Sequence, residues 1–128
     1  MKKVLLGLVI AIIMNGSVFA CKTPEELMDN YFSDFNAQDI IMVERNFSFP
    51  LMVIQNGKKT IHNDISTFLN FKKIKKTGWS ESVINSLTLL LEKNKSAITQ
   101  LNFSRINNNG NVYLTSDVNY ILIKENEH

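Results

Sequence analysis

Few residues of this chain have the type and position that chemistry on a small molecule demands. Tyr31 falls on the apolar side of the series Leu27, Met28, Tyr31, Phe32 and Phe35, where its hydroxyl can donate to a ligand oxygen. Asp34 flanks that side, and His62 closes a short extended stretch. Either can accept a proton from a substrate held against Tyr31, so Tyr31, Asp34 and His62 are the candidate catalytic residues. Each also has an ordinary role open to it: a core tyrosine with its hydroxyl at the rim, a solvated carboxylate, a satisfied surface histidine. Arg105 follows Ser104 at the end of a strand-like run. Buried there, its guanidinium needs a carboxylate, from Asp117 or Glu44, or a ligand anion to offset its desolvation. His62 has no second internal histidine and no clustered carboxylates beside it, and His128 is terminal. No metal site and no cofactor are expected from that pattern. Lys72, Lys73, Lys75 and Lys76 form a basic cluster, read either as a dipole-matched helix end or as a contact for anionic lipid or an acidic partner.

The elements that must position these groups follow from local signals. Thr23-Pro24-Glu25-Glu26 is a helix start with a cap, a proline at the first helical position and a capping-box glutamate. The apolar spacing carries that helix to about Ala37, and Ile40 to Arg45 reads as a second, shorter one. Leu51 to Gln55 and Lys59 to His62 flank Asn56-Gly57, a hairpin turn signal. Asn63 or Asp64 caps a third helix that runs through about Lys76, burying Ile65, Phe68, Leu69 and Ile74, with Gly78 as its stop. Three strands then follow: Val83 to Glu92, Ser96 to Ile106, and one within Val112 to Lys124. Leu87, Leu89 and Leu91 form one apolar row, and Ala97, Leu101 and Phe103 another, as in an antiparallel sheet covered on one face. Helices, a hairpin, a helix and a long meander make an α+β domain.

The N-terminus speaks to compartment. Lys2 and Lys3 precede an uncharged apolar run, Val4 to Met14, and Val18-Phe19-Ala20 supplies small residues at the −3 and −1 positions. This is the pattern of a secretory signal peptide over residues 1–20. The run is shorter than the roughly 20 apolar residues of a spanning helix. Residues 21–128 are then a single exported domain, periplasmic or held in the cell envelope. Cys21, the only cysteine, follows the expected cut; it is either lipidated, anchoring the chain to the membrane, or left as a free thiol at the new N-terminus. The formal charge of +2 includes Lys2 and Lys3, so the domain itself is close to neutral. That argues against nucleic-acid binding, which needs a concentrated basic surface.

Taken in order, several segments resemble the nuclear transport factor 2-like (SnoaL-like) superfamily. They are Phe35-Asn36-Ala37-Gln38-Asp39, Phe49-Pro50-Leu51, the Asn56-Gly57 hairpin and Gly78-Trp79-Ser80. Ala97 through Ser104-Arg105, Asn109-Gly110 and Tyr120-Ile121-Leu122 complete the set. The resemblance spans most of residues 23–124. It implies a cone: a curved antiparallel sheet wrapped around the N-terminal helices. Members usually carry one more strand after that of Tyr120, so either the sheet is one strand short or the sequence is truncated. An exposed edge would invite a partner chain, and a homodimer is expected. In enzymes of this type acids, histidines or tyrosines lie inside the cone. Here Arg45 to Met52, where an isomerase-like base would stand, has no carboxylate, and neither has Ser96 to Ile106. The expected pocket is lined by Tyr31, Phe35, Trp79, Phe103, Arg105 and Tyr120, with Trp79 either at its mouth or closing one end of the core. The expected function is therefore non-catalytic binding or interaction, with a small apolar or amphipathic ligand. The alternative is a small isomerase, dehydratase or hydrolase that uses Tyr31 with Asp34 or His62.

Overall fold

The computed structural model describes residues 11–15 and 23–124. Cys21, Glu125, His128 and the expected cut after Ala20 lie outside the described residues. Helix α1, Pro24–Asn36, begins with the capping box expected of it. The Glu26 amide donates to Thr23 Oγ1 at 3.1 Å, and the Thr23 amide donates to Glu26 Oε1 at 2.9 Å. Together these satisfy two backbone donors that a helix start otherwise leaves open. Leu27, Met28, Tyr31, Phe32 and Phe35 are all buried, so one face of α1 enters the core along its whole length. Asp39 caps the short helix α2, Ile40–Glu44, which buries only Val43.

Strands β2, Leu51–Gln55, and β3, Lys58–His62, form the expected hairpin. Its turn residues Asn56 and Gly57 both have positive φ, 54° and 76°. That is the conformation a two-residue hairpin loop requires, and it is one in which asparagine and glycine are least strained. The expected third helix is broken in two. Asp64 caps a single 3₁₀ turn, Ile65–Thr67, and Asn70 caps a separate five-residue helix α3, Phe71–Lys75. The break has a local cause: the Asn70 side chain accepts from the Lys73 amide at 3.1 Å, so it starts a helix instead of continuing one. Ile65 and Leu69 are buried as expected, and Phe68, Phe71 and Ile74 pack partly buried against the core.

Three long strands follow: β4, Trp79–Glu92; β5, Ser96–Asn107; and β6, Val112–Ile123. They pair antiparallel, β4 with β5 and β5 with β6. Register shifts interrupt β4 between Trp79 and Glu81, Ile84 and Ser86, and Leu89 and Leu91. Each bulge bends the strand and adds twist, so the sheet curls around α1. The bulges also move the apolar phase. Trp79 and Ser82 are buried and Ile84 and Leu87 partly so, whereas Leu89, Leu90 and Leu91 are 40%, 53% and 45% exposed. The expected apolar row of β4 therefore ends at Leu87. One further strand, β1, Ala11–Asn15, runs parallel to β6, placing Ala11 opposite Asn119 and Asn15 opposite Ile123. The sheet order is β1-β6-β5-β4, and β1 also lies close to β2. The place beside β6, expected to be bare or to belong to a missing strand, is taken by Ala11–Asn15.

Candidate functional site

The core of the curl is aromatic. Tyr31 makes edge-on ring contacts with Phe32, Phe35, Phe47 and Tyr120, at centroid distances of 5.4, 5.9, 5.1 and 6.2 Å. Below this cluster α1, the segment from Ser66 to Ile74 and the inner faces of β5 and β6 leave a cavity of about 460 Å³. That volume is in the range of small-molecule sites. On β5 the inward row is Ala97, Thr99 and Leu101, all buried, and it continues into the cavity as Phe103 and Arg105. On β6 the inward row supplies Leu114, Val118 and Tyr120.

Tyr31, Arg105 and Tyr120 meet in this hollow, which Gln55, Ser66, Thr67, Asn70 and Ser82 also line. Tyr31 and Tyr120 are 6% and 3% exposed and hydrogen-bond to each other. Burial pushes both phenols above their ordinary value, and the nearby Arg105 guanidinium opposes that rise. Both are therefore neutral hydroxyls at physiological pH. Arg105 lies opposite Leu114 on β6, and its Nε is buried with no hydrogen-bond partner. Neither carboxylate expected to meet Arg105 lines the cavity. Asp117 points to the outer face of the sheet, where it accepts from Asn102 Nδ2 at 2.8 Å. Among the described residues no carboxylate and no imidazole lines the hollow, while Lys73 of α3 stands at its exposed rim.

Five of the six expected pocket residues line this one cavity: Tyr31, Phe35, Phe103, Arg105 and Tyr120. Trp79 does not. It is 2% exposed and sits behind the wall, with its ring against Phe35 and Phe71 and its Nε1 donating to Ser82 Oγ at 2.9 Å. Ser82, held by Trp79, is the residue that reaches the cavity. The structure does not bring Asp34 or His62 to Tyr31. Asp34 Oδ2 accepts from Asn46 Nδ2 at 3.0 Å and from Asn30 Nδ2 at 3.3 Å, a network that ties α1 to the end of α2. His62 hydrogen-bonds through Nδ1 to Thr67 Oγ1 at 2.9 Å and packs on Phe68. Phe32, Phe68, Ile74 and Lys73 line the cavity without having been singled out as pocket residues. Phe32 was within reach of the helical spacing that identified Tyr31 and Phe35. Lys73 was not, because its direction depends on the helix break at Asn70. Among the described residues no cluster of histidine, cysteine, aspartate and glutamate has the makings of a metal site.

A cone of this order, with helices first and a bent meander around them, can be set against known families. The family model described as NTF2-like protein (DUF6841) matches residues 23–128. The chain belongs to this NTF2-like family. The match spans every helix and all strands but β1, and it bears out the superfamily resemblance and the α+β cone. A solved NTF2-like protein of unknown function from Exiguobacterium sp. 255-15 is similar at 16% identity, covering 80% of this chain and 99% of that one, with a TM-score of 0.45. No curated protein matches. What is common to this NTF2-like chain and its family is the fold, and function has to be argued from the cavity itself.

Proposed function

We propose that residues 21–128 form an exported, non-catalytic NTF2-like binding domain whose cavity takes a small apolar or amphipathic molecule. The observation that carries this reading is the cavity: walls of Phe32, Phe35, Phe68, Phe103, Leu114 and Val118, with no carboxylate or imidazole among the described residues that line it. Proton-transfer chemistry needs a base within hydrogen-bond reach of the substrate. Asp34 and His62, the two groups able to serve, are committed elsewhere. Export is supported by the charged, apolar and small-residue pattern of residues 1–20, and envelope anchoring by the position of Cys21 directly after it. On the same reading a second copy of the chain covers the exposed Leu89, Leu90 and Leu91, since a run of apolar residues on an outer strand is a natural pairing surface.

Native mass spectrometry of the protein purified from a bacterial envelope reads lipidation, a retained ligand and a dimer mass in one measurement. Titration with 1-octanol, followed by the methyl resonances of Leu114 and Val118, tests the cavity directly; saturable shifts confined to cavity residues are expected. Turnover of a bound molecule that disappears in Tyr31→Phe would replace this reading with an enzymatic one.

A further inference from the structure

An apolar cavity binds apolar molecules without needing a cation inside it, and this one has a guanidinium there. Arg105 reaches the cavity from the end of the inward row of β5, and its Nε is buried with no hydrogen-bond partner. The two phenols beside it are neutral, so they supply hydrogen-bond capacity but no countercharge. The carboxylate that would neutralise a structural arginine is missing from the lining among the described residues, and Asp117 is on the other face of the sheet. A second cation, Lys73, stands at the rim. A buried guanidinium N–H is costly to leave unpaired, and the flat fork of donors on the half-buried Arg105 matches a carboxylate in particular. Most of the remaining wall is hydrocarbon and aromatic ring, and its other polar members, Gln55, Ser66, Thr67, Asn70 and Ser82, are uncharged.

We propose that the cavity selects a small amphipathic acid, with its carboxylate seated on Arg105 beside Tyr31 and Tyr120 and its apolar body against Phe32, Phe68 and Phe103. This rests on the binding reading above and adds the sign and place of the head group. Octanoate has the required shape: one carboxylate on a flexible hydrocarbon chain. Its uncharged counterpart 1-octanol has the same chain without the anion. Lys73 is exposed, whereas Arg105 is half-buried with its Nε out of solvent, so salt screens the attraction at the rim more than the contact at Arg105.

Isothermal titration of the purified protein with octanoate and with 1-octanol separates the two claims. Octanoate is expected to bind at least tenfold more tightly than 1-octanol, the scale of a charge-assisted hydrogen-bonded pair. Arg105→Met is expected to remove that advantage, so that octanoate binds the variant no more tightly than 1-octanol does. Arg105→Lys keeps the charge without the fork and is expected to hold part of the preference, which guards against a fold defect in the first variant. Lys73→Gln is expected to alter the salt dependence of octanoate binding and to leave its high-salt affinity unchanged. If 1-octanol binds as tightly as octanoate, or the preference survives Arg105→Met, the head-group assignment falls and the apolar-binding reading stands. If neither ligand binds at the cavity, both fall.

Discussion

Asp34 Oδ2 accepts hydrogen bonds from the side-chain amides of Asn30 and Asn46, and Asn46 is 1% exposed. Removing the acceptor leaves a buried amide donor short of a partner, which costs about 1–3 kcal/mol. Asp34→Ala is therefore expected to lower stability by that amount in urea denaturation while 1-octanol affinity is kept. A loss of binding with stability unchanged would return Asp34 to the list of site residues. The two cavity phenols make a different prediction. Burial raises both above the ordinary phenol value of about 10. Above that pH the unfolded chain has released protons that the folded chain still holds, so the native state binds more protons. Stability is then fully present below about pH 10 and falls as pH rises toward the raised values. Melting temperatures taken from about pH 9 to about pH 12 should fall, and Tyr120→Phe should make the fall shallower. Equal slopes for the two proteins would mean that Tyr120 contributes nothing to the alkaline loss.

At the scale of elements, the end of α1 is fastened to β4 by one side chain. Asn36 Nδ2 donates to the Ser82 carbonyl and Asn36 Oδ1 accepts from the Ser82 amide, both at 2.8 Å. The amide thus stands in for a neighbouring strand next to the first bulge of β4. Asn36→Ala opens both bonds of a buried residue and is expected to cost about 1–3 kcal/mol in denaturant titration. Faster hydrogen exchange at Ser82 should accompany it; exchange unchanged there would show that the pairing does not hold the strand. This contact also marks how far the sequence was legible. Helix α1, the β2–β3 hairpin and the inward row of β5 as far as Phe103 could be read because each follows a single period, whereas Arg105 and Tyr120 entered the expected pocket through the family resemblance. The far leucines of β4 were misplaced because bulges change the phase of a strand, and nothing in a row of alternating residues announces a bulge; Trp79 took the core position that was one of its two expected places. Lys73 was missed for a related reason: asparagine caps a helix as readily as it ends a loop, and Asn70 starts a second helix where the apolar spacing carried one straight on.

On the scale of the whole molecule the sheet has two unlike flanks. The β4 flank ends in an exposed apolar run, Leu89 to Leu91, on a strand with no outer neighbour among the described residues. If a second copy covers it, Leu90→Asp should convert a dimer into a monomer in sedimentation velocity while far-ultraviolet circular dichroism is retained. Wild-type protein that already sediments as a monomer would remove the dimer from the proposed function.

The opposite flank is closed by β1, five residues that belong to the proposed leader. The same backbone groups cannot hydrogen-bond to β6 and be threaded through an export channel at once. If residues 1–20 direct export as proposed, docking of Ala11–Asn15 and delivery outward draw on one segment, and a precursor that completed its fold early would hide its own address. If that segment is cut away on export, Asn119–Ile123 is left with a one-strand gap facing β2, and the mature domain then has a more open flank than its precursor.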